Sequence, residues 1–371
     1  MKIGVPKETI SGENRVAMSL ETCKSFVDAG FDVKIEKGAG SSANISDDQY
    51  KQVGAKIASA KDAFGADFVL KVRYPNEKEI KEMKKDANLC CLLDPYNNKE
   101  TLKKLSSAKI NSFSMEFMPR ITRAQSMDVL SSQSNIAGYK AVLNGVDKFS
   151  RVVPMFMTSA GTIKPAVFCV IGAGVAGLQA IATAKRLGGI VKAFDVRLAA
   201  KEQVESLGAS FVEVEGAEDL ETKEGYAKEA SAEYKKKQAE ALAKTLEGTD
   251  IVISTALIPG RKAPVIVTKK MISKMKDGSV LVDLAAESGG NIEGSEAGKI
   301  ISKDGVTIIG CKDINSELSE TCSNLYAKNL WNFLSPHIDK EKKEIVLDFE
   351  DETVAGTLIT KDGAIVHEKL K

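Results

Sequence analysis

Between Phe168 and Asp195 the chain reads FCVIGAGVAGLQAIATAKRLGGIVKAFD. A short apolar run meets Gly172, Gly174 and Gly177 in GxGxxG spacing, a helical stretch follows, and a second apolar run ends in an acid. This order of strand, glycine turn, helix and strand is the fingerprint of a dinucleotide-binding βαβ unit. Gly172 permits the tight turn out of the first strand, Gly174 leaves room for backbone N–H groups to approach a pyrophosphate at a helix N-terminus, and Gly177 lets the helix lie close on the sheet. A carboxylate at Asp195 accepts from the hydroxyls of an adenine ribose and repels a 2′-phosphate, which favours NAD over NADP. The stretch Ala166 to Ala184 carries no charge and is long enough to imitate a membrane span. A strand that breaks at Gly172 into a helix explains that apolar content without lipid.

At 371 residues the chain exceeds the size at which one core usually stays single, so two domains are expected. Its 52 basic and 51 acidic residues nearly cancel, which removes any general electrostatic case for nucleic acid or an anionic membrane surface. The six cysteines (23, 90, 91, 169, 311 and 322) show no paired metal spacing and read as reduced cytosolic thiols. With His337 and His367 as the only histidines, no metal site is expected. The start, MKIGVPKETI, has no apolar h-region of a signal peptide.

Over the first 115 residues KIGVP, FDVKIE, ADFVLKV, ANLCCLL and INSFSM read as strands, while SLETCKSFVDAG, KEIKEMKK and KETLKKLSSA read as helices between them. Such alternation predicts a parallel sheet wrapped by helices. A long helix is expected from about Ser126, as its N-cap, to Lys148. From Ala166 a second unit runs through VFCVIG, IVKAFD, SFVEV, DIVIST, GSVLVDLA and VTIIG. After Leu325 the amphipathic AKNLWNFLSPHI is expected to pack back on the first domain, leaving a polar hairpin-like tail. The fold class is therefore α/β, with two Rossmann-like doubly wound parallel-sheet domains, a cleft between them, and long helices joining them. Residues 1–130 and 320–371 form the first domain and 131–319 the nucleotide domain. Within the latter, the acidic then Lys-rich stretch from Glu213 to Leu246 reads equally as a solvated surface loop with a helix or as a lid over the nucleotide.

Ligands of doubly wound sheets sit beyond the carboxyl ends of the strands. STALIPG (Ser254 to Gly260, with Thr255 and Leu257), VDLAAESGGN (Val282 to Asn291) and TSAGTIKP (Thr158 to Pro165) stand next to strand ends as candidate walls of a nicotinamide pocket. The most unusual segment is MPRITRAQSMDVLSSQSN, Met118 to Asn135, which gathers Arg120, Arg123, Gln125, Ser126, Asp128 and Ser131. A helix start favoured by the dipole accounts for Ser126 and Asp128 but not for Gln125. The Gln125 amide both donates and accepts, as recognition of a carboxamide requires. The first 336 residues hold no histidine. Oxidation of an alcohol or amine moves a proton as well as a hydride and usually needs a base, whereas hydride passing between two nicotinamide rings does not. Lys71 and Asp283 remain as alternative bases.

At PRITRAQSMDVLSSQSNIAGY, GAGVAGLQAIATAKRLG, KEQVESLGA, GYAKE, TALIPG, GSVLVDLAAESGGN and DGAIVH the chain resembles the NAD(H)-binding domain I of the alpha subunit of proton-translocating nicotinamide nucleotide transhydrogenases. The resemblance implies that Arg120, Gln125 and Asp128 form a loop, with Ser126 and Met127 inside it and Ser131 nearby, that holds the nicotinamide end of NADH. It implies pyrophosphate contact at Val175, adenosine-ribose contacts at Asp195, Val196 and Arg197, and a mobile loop at Gly225 and Tyr226 that closes over NAD. Gln238 lies just beyond that loop, and Leu257 lines the pocket. It further implies a homodimer, seated through partners on the cytoplasmic side of the inner membrane, that passes hydride to NADP on another domain while protons cross a separate membrane subunit. The chain itself is expected to be soluble, with no span and no nucleic acid partner. Alanine dehydrogenases are similar at KIGVPKE and ENRVA, and this chain keeps the Arg15 and Lys71 that hold a substrate carboxylate there. It departs from them at Leu92, where the catalytic histidine is expected, and at Glu287, where an aspartate is expected. An alanine dehydrogenase-like oxidoreductase and a non-catalytic NAD-sensing subunit are the alternative readings.

Overall fold

The computed structural model describes every residue except 215, 217–230, 258 and 259. It divides into two compact units, Met1–Gln133 with Asn315–Lys371, and Ser134–Ile314.

The first unit begins β1 (Lys2–Val5), α1 (Leu20–Asp28), β2 (Asp32–Glu36), α2 (Asp47–Gln52), β3 (Lys56–Ala58), α3 (Ala60–Phe64) and β4 (Phe68–Arg73). It continues α4 (Glu77–Glu82), β5 (Asn88–Leu92), α5 (Lys99–Ser107) and β6 (Asn111–Ser114). These six strands pair in parallel in the order β3-β2-β1-β4-β5-β6. Alternate residues of each central strand enter different cores, as the two-residue period of a strand dictates. Phe68, Leu70 and Val72 join one, with Ile3 and Val5, while Val69 joins the other with Leu89 and Cys91. Helix starts are marked locally: Ser19 and Thr22 form a reciprocal capping box at α1, and Asn76 and Glu79 form another at α4. Each cap contributes about 1 kcal/mol.

Helix α6 (Val129–Lys148) carries the chain from the first unit into the second. It does not start at Ser126. Thr122–Met127 is a 3₁₀ turn, and the Asp128 side chain caps α6 by accepting from Ser131 N at 3.0 Å and Ser131 Oγ at 2.6 Å. A carboxylate satisfies the free N–H groups there and faces the positive end of the dipole, so it displaces the serine from the capping role.

The second unit opens with β7 (Phe156–Thr158) and β8 (Gly161–Ile163), an antiparallel pair whose six residues are all exposed. It continues β9 (Val167–Ile171), α7 (Val175–Arg186), β10 (Ile190–Phe194), α8 (Ala200–Ser206), β11 (Ser210–Phe211), α9 (Ala232–Glu247) and β12 (Ile251–Ser254). The remaining elements are α10 (Lys269–Ile272), β13 (Val280–Asp283), β14 (Ile300–Lys303) and β15 (Val306–Gly310). The sheet order is β11-β10-β9-β12-β13-β15-β14, parallel except for β14 against β15. The expected SFVEV strand is cut short, pairing only through Ser210 and Phe211 at the sheet edge. Phe168, Val170, Ile251, Ile253, Val280 and Val282 fill one core, and Cys169, Ile171, Val252 and Leu281 the other. Burial of each such side chain contributes roughly 1.5–3 kcal/mol.

The chain then returns to the first unit through α11 (Ser319–Leu334), whose Tyr326, Leu330, Phe333 and Leu334 enter the core of that unit. After a short hairpin, β16 (Ile338–Asp339) and β17 (Glu344–Ile345), and α12 (Glu352–Thr357), the chain forms β18 (Leu358–Lys361) and β19 (Ala364–Ile365). The expected polar tail is thus part of the sheet: β18 pairs antiparallel with β6 and with β19. Two doubly wound parallel sheets, as expected, make up the fold.

All six cysteines are free and buried. Burial pushes the Cys23 and Cys169 thiols up to about 12 and Cys322 to about 11. Since the thiolate is the reactive form, the native chain at pH 8 is expected to resist a thiol-directed reagent and to release six reactive thiols on unfolding. Rapid labelling of any cysteine in the native chain would contradict this burial.

Candidate functional site

In each sheet six parallel strands run in the order 3-2-1-4-5-6, in which the chain leaves the adjacent first and fourth strands in opposite directions and a crevice opens at their carboxyl ends. In the second unit those strands are β9 and β12. Gly172 follows β9 with φ +90°, and an added Cβ there would meet Thr255 Oγ1 at 2.6 Å. Gly177 lies so close to the turn that its Cβ would fall 1.8 Å from the Gly172 carbonyl oxygen. At Gly174, the N-cap of α7, nothing lies within 4 Å of that position. The first and third glycines are therefore fixed by packing, while the second faces open space at the positive end of a 12-residue helix, with the exposed Val175 beside it. Backbone N–H groups in that setting suit a pyrophosphate.

Asp195, immediately after β10, is already engaged. Its Oδ2 accepts from Ala173 N in the glycine turn at 2.6 Å and from Arg197 Nη2 at 2.8 Å. Its Oδ1 accepts from Arg197 N at 2.8 Å and Arg197 Nε at 2.9 Å. The side chains are 5% and 18% exposed, so the carboxylate both braces the turn and holds a bidentate guanidinium at the sheet edge. Val196 between them packs partly against the core of its unit.

Thr255, after β12, donates its Oγ1 toward the carbonyls of Ile171 and Gly172 at 3.2 and 3.1 Å, tying together the carboxyl ends of the two adjacent strands. The segment after it is locked by Asn291, a fully buried side chain whose Oδ1 accepts from Ser254 Oγ and Ala256 N and whose Nδ2 donates to the carbonyls of Ala256 and Pro264. Leu257 projects from this locked segment, 46% exposed. Asp283, left as an alternative base by the sequence, is fully buried and accepts from the backbone N–H of Ala285, Asn291 and Ile292. That carboxylate organises a turn. Gln238 lies on the buried face of α9 with Tyr234, Leu242 and Leu246. Gly225 and Tyr226 lie outside the described residues. TSAGTIKP contributes to the exposed β7–β8 hairpin.

In the first unit, the Met118–Asp128 segment leaves β6 through a short turn at Met115–Phe117, then forms the 3₁₀ turn Thr122–Met127. A hollow of about 190 Å³ is lined by Pro119, Arg120, Ile121, Thr122, Ala124, Gln125 and Asp128. It is smaller than the roughly 300–1,000 Å³ of sites for whole drug-sized ligands. Arg120, Gln125 and Asp128 thus share one hollow, with Ser131 bonded to Asp128. Gln125 and Ser126 are exposed, whereas the Met127 side chain is buried in the core. Arg123 forms a bidentate pair with Asp351, whose carboxyl is held well below the usual range chiefly by that bond. Sequence reasoning missed Asp351, Asn329 and Asn332, the groups that hold this turn, because they lie some 200 residues away along the chain.

Arg15 and Lys71 are committed within the same unit. Arg15 bonds Glu13 through Nε and Nη2 at 2.7 and 2.6 Å, and donates Nη1 to Gln133 at 2.8 Å. Burial alone would raise the Glu13 carboxyl, but Arg15 more than offsets it and leaves it lowered. Lys71, 1% exposed, lies 3.3 Å from Glu8 and 3.7 Å from Glu79.

Comparison with known proteins agrees over the whole chain. The family descriptions "Alanine dehydrogenase/PNT, N-terminal domain" and "Alanine dehydrogenase/PNT, C-terminal domain" match residues 4–137 and 141–368. An NAD(P) transhydrogenase alpha-subunit polypeptide of Rhodospirillum rubrum is 53% identical, with 100% of this chain and 99% of that protein covered. A crystal structure of transhydrogenase from Sinorhizobium meliloti superposes with a TM-score of 0.91 at 48% identity, covering 99% of this chain and 100% of that one. An L-alanine dehydrogenase structure gives a TM-score of 0.82 at 25% identity, covering 100% and 98%. The doubly wound sheets, the glycine turn and these matches together mean that the chain belongs to the alanine dehydrogenase/PNT family, among its transhydrogenase alpha subunits.

Proposed function

We propose that this chain binds NADH and donates its hydride directly to NADP⁺ held by a separate domain, in an assembly whose membrane subunit couples the transfer to proton movement. On this reading the chain works from the cytoplasmic side of the membrane. Among the described residues no helix is long and apolar enough to cross a bilayer. The observation that carries the proposal is the Arg120–Gln125–Asp128 hollow, a set of polar clamps in which the one carboxylate, Asp128, is engaged by Ser131 N and Oγ. Asp283 is spent on three backbone N–H groups and Lys71 on two carboxylates, which leaves both unsuited to proton abstraction.

NADH, when bound, supplies the hydride. The residues of this chain bind and orient it. The N-terminus of α7 with Gly174 and Val175 receives the pyrophosphate, Asp195, Val196 and Arg197 receive the adenosine ribose, and Thr255, Leu257 and Gln238 belong to the walls. Gly225 and Tyr226 are assigned to a closing loop. Gln125 fixes the carboxamide, and Arg120, Asp128 and Ser131 complete the clamp, so that binding energy goes into orientation and exclusion of water. The alanine dehydrogenase alternative is disfavoured by Leu92 in place of a histidine and by the internal pairing of Arg15 and Lys71.

A homodimer belongs to the same proposal. The β7–β8 hairpin is isolated from both main sheets, and such two-stranded pieces are marginal in water alone. Met155, Phe156, Met157 and Ile163 on or beside it are 58, 46, 80 and 42% exposed, which supports burial against a second copy. Sedimentation of the chain alone should give a dimer; monomer mass at micromolar concentration would count against this.

Mixing the chain with the NADP(H)-binding domain of a transhydrogenase should allow NADPH to reduce an NAD analogue, read by absorbance. Normal NADH binding with no turnover would leave only a sensing role, and alanine-dependent NADH formation by the chain alone would favour the alternative. Gln125→Asn is expected to slow transfer by about 10–100-fold, because one lost methylene misplaces the ring, while NADH affinity changes by less than about threefold. Asp195→Asn removes the charge that holds Arg197, and the preference for NADH over NADPH in calorimetry should fall by roughly tenfold. An unchanged preference would remove Asp195 from the ribose site.

A further inference from the structure

The carbonyl oxygen of Ser126, the residue after Gln125, accepts from two side-chain amides at once: Asn329 Nδ2 and Asn332 Nδ2, each at 2.9 Å. Both asparagines stand on α11, three residues apart and therefore on one helix face. Asn329 is 6% exposed, and its Oδ1 accepts from Ser132 Oγ at 2.7 Å. One buried amide plane thus spans the 3₁₀ turn and the first turn of α6. Two turns earlier on α11, the Cys322 carbonyl accepts from Gln133 Nε2 at 3.1 Å, so α11 grips α6 a second time.

A 3₁₀ turn has poor internal hydrogen-bond geometry and does not hold itself rigidly. Gln125 is exposed, so no packing around its side chain fixes it; its aim is inherited from the backbone on either side. On the N-terminal side Arg123 is forked onto Asp351, and on the C-terminal side both lone pairs of the Ser126 carbonyl are occupied. The asparagine pair fixes the plane of the peptide that follows Ser126 and, through it, the direction of Gln125.

We propose that Asn329 and Asn332 are positioning residues for hydride transfer, setting the aim of Gln125 from outside the pocket through the Ser126 carbonyl. The proposal rests on the reading that Gln125 orients the nicotinamide, and it adds two residues that never touch the cofactor. Replacing a donor amide by a carboxylate turns an attraction to that carbonyl into a repulsion, whereas an apolar replacement only deletes the bond.

Asn332 is half-buried and is the first site to change, since a charge at buried Asn329 risks folding. Asn332→Asp, Asn332→Leu and the wild-type chain are compared in three measurements: single-turnover hydride transfer with an NADP(H)-binding domain, calorimetric affinities for NADH and for ADP-ribose, and thermal unfolding. Asn332→Asp should slow transfer by about tenfold or more, with Asn332→Leu between it and wild type. The preference for NADH over ADP-ribose should fall in the same order while ADP-ribose affinity and the unfolding midpoint stay at wild-type values. Equal losses of NADH and ADP-ribose affinity, or a wild-type transfer rate and preference in Asn332→Asp, would overturn the proposal. If the wild-type chain transfers no hydride, the functional reading fails, and the preference for NADH over ADP-ribose still reads the positioning role.

Discussion

A parallel strand pair needs a crossover, and crossovers in one sheet are right-handed, so a chain that winds outward in both directions from its first strand must leave a crevice beside it. Everything in the second unit depends on that constraint at β9 and β12. Gly172 and Thr255 emerge there side by side, and the threonine hydroxyl bonds back across the gap to hold the strand ends at one separation. Asp195 then braces the turn from the next strand through Ala173 N. Nucleotide chemistry is added to a junction whose shape is already set by backbone topology.

The first unit repeats the same strand order without a glycine fingerprint. At its corresponding junction, between β1 and β4, the Glu8 carboxylate accepts from Val72 N at 2.6 Å and Arg73 N at 3.4 Å and faces Lys71. Burial outweighs Lys71 and these bonds, and raises the Glu8 carboxyl above its usual range. The chain supplies its own anion where the second sheet leaves room for one. The polar hollow of this unit lies instead on the segment that follows β6, at Pro119 to Asp128.

Much of this was legible in the sequence because it rests on local periodicity. Most of the strands, the glycine turn and the acid after β10 are short-range patterns that appear where their residues point, and Arg120, Gln125 and Asp128 line one hollow. Contacts between distant segments were not legible. Ser126 reads as a helix cap because serine caps helices, but Asp128 outcompetes it once the turn before it is pinned by α11. Asn291 and Asp283 read as pocket walls or a base, yet their capacity is consumed by backbone groups that only the fold brings near. The C-terminal tail reads as a polar hairpin because charged residues surround one short strand, β18, whose consecutive Leu358, Ile359 and Thr360 are buried once it pairs beside β6.

The Arg197 fork on Asp195 has a kinetic consequence. A paired carboxylate and guanidinium present the field of a dipole, which decays with distance faster than that of a lone charge. This pair therefore adds little long-range repulsion toward a 2′-phosphorylated dinucleotide approaching the proposed ribose site. On the proposed assignment, discrimination acts at contact, where the phosphate must compete for a guanidinium already bidentate to an acid. Selectivity built this way appears in how fast the wrong nucleotide leaves rather than how fast it arrives, and changes little with ionic strength.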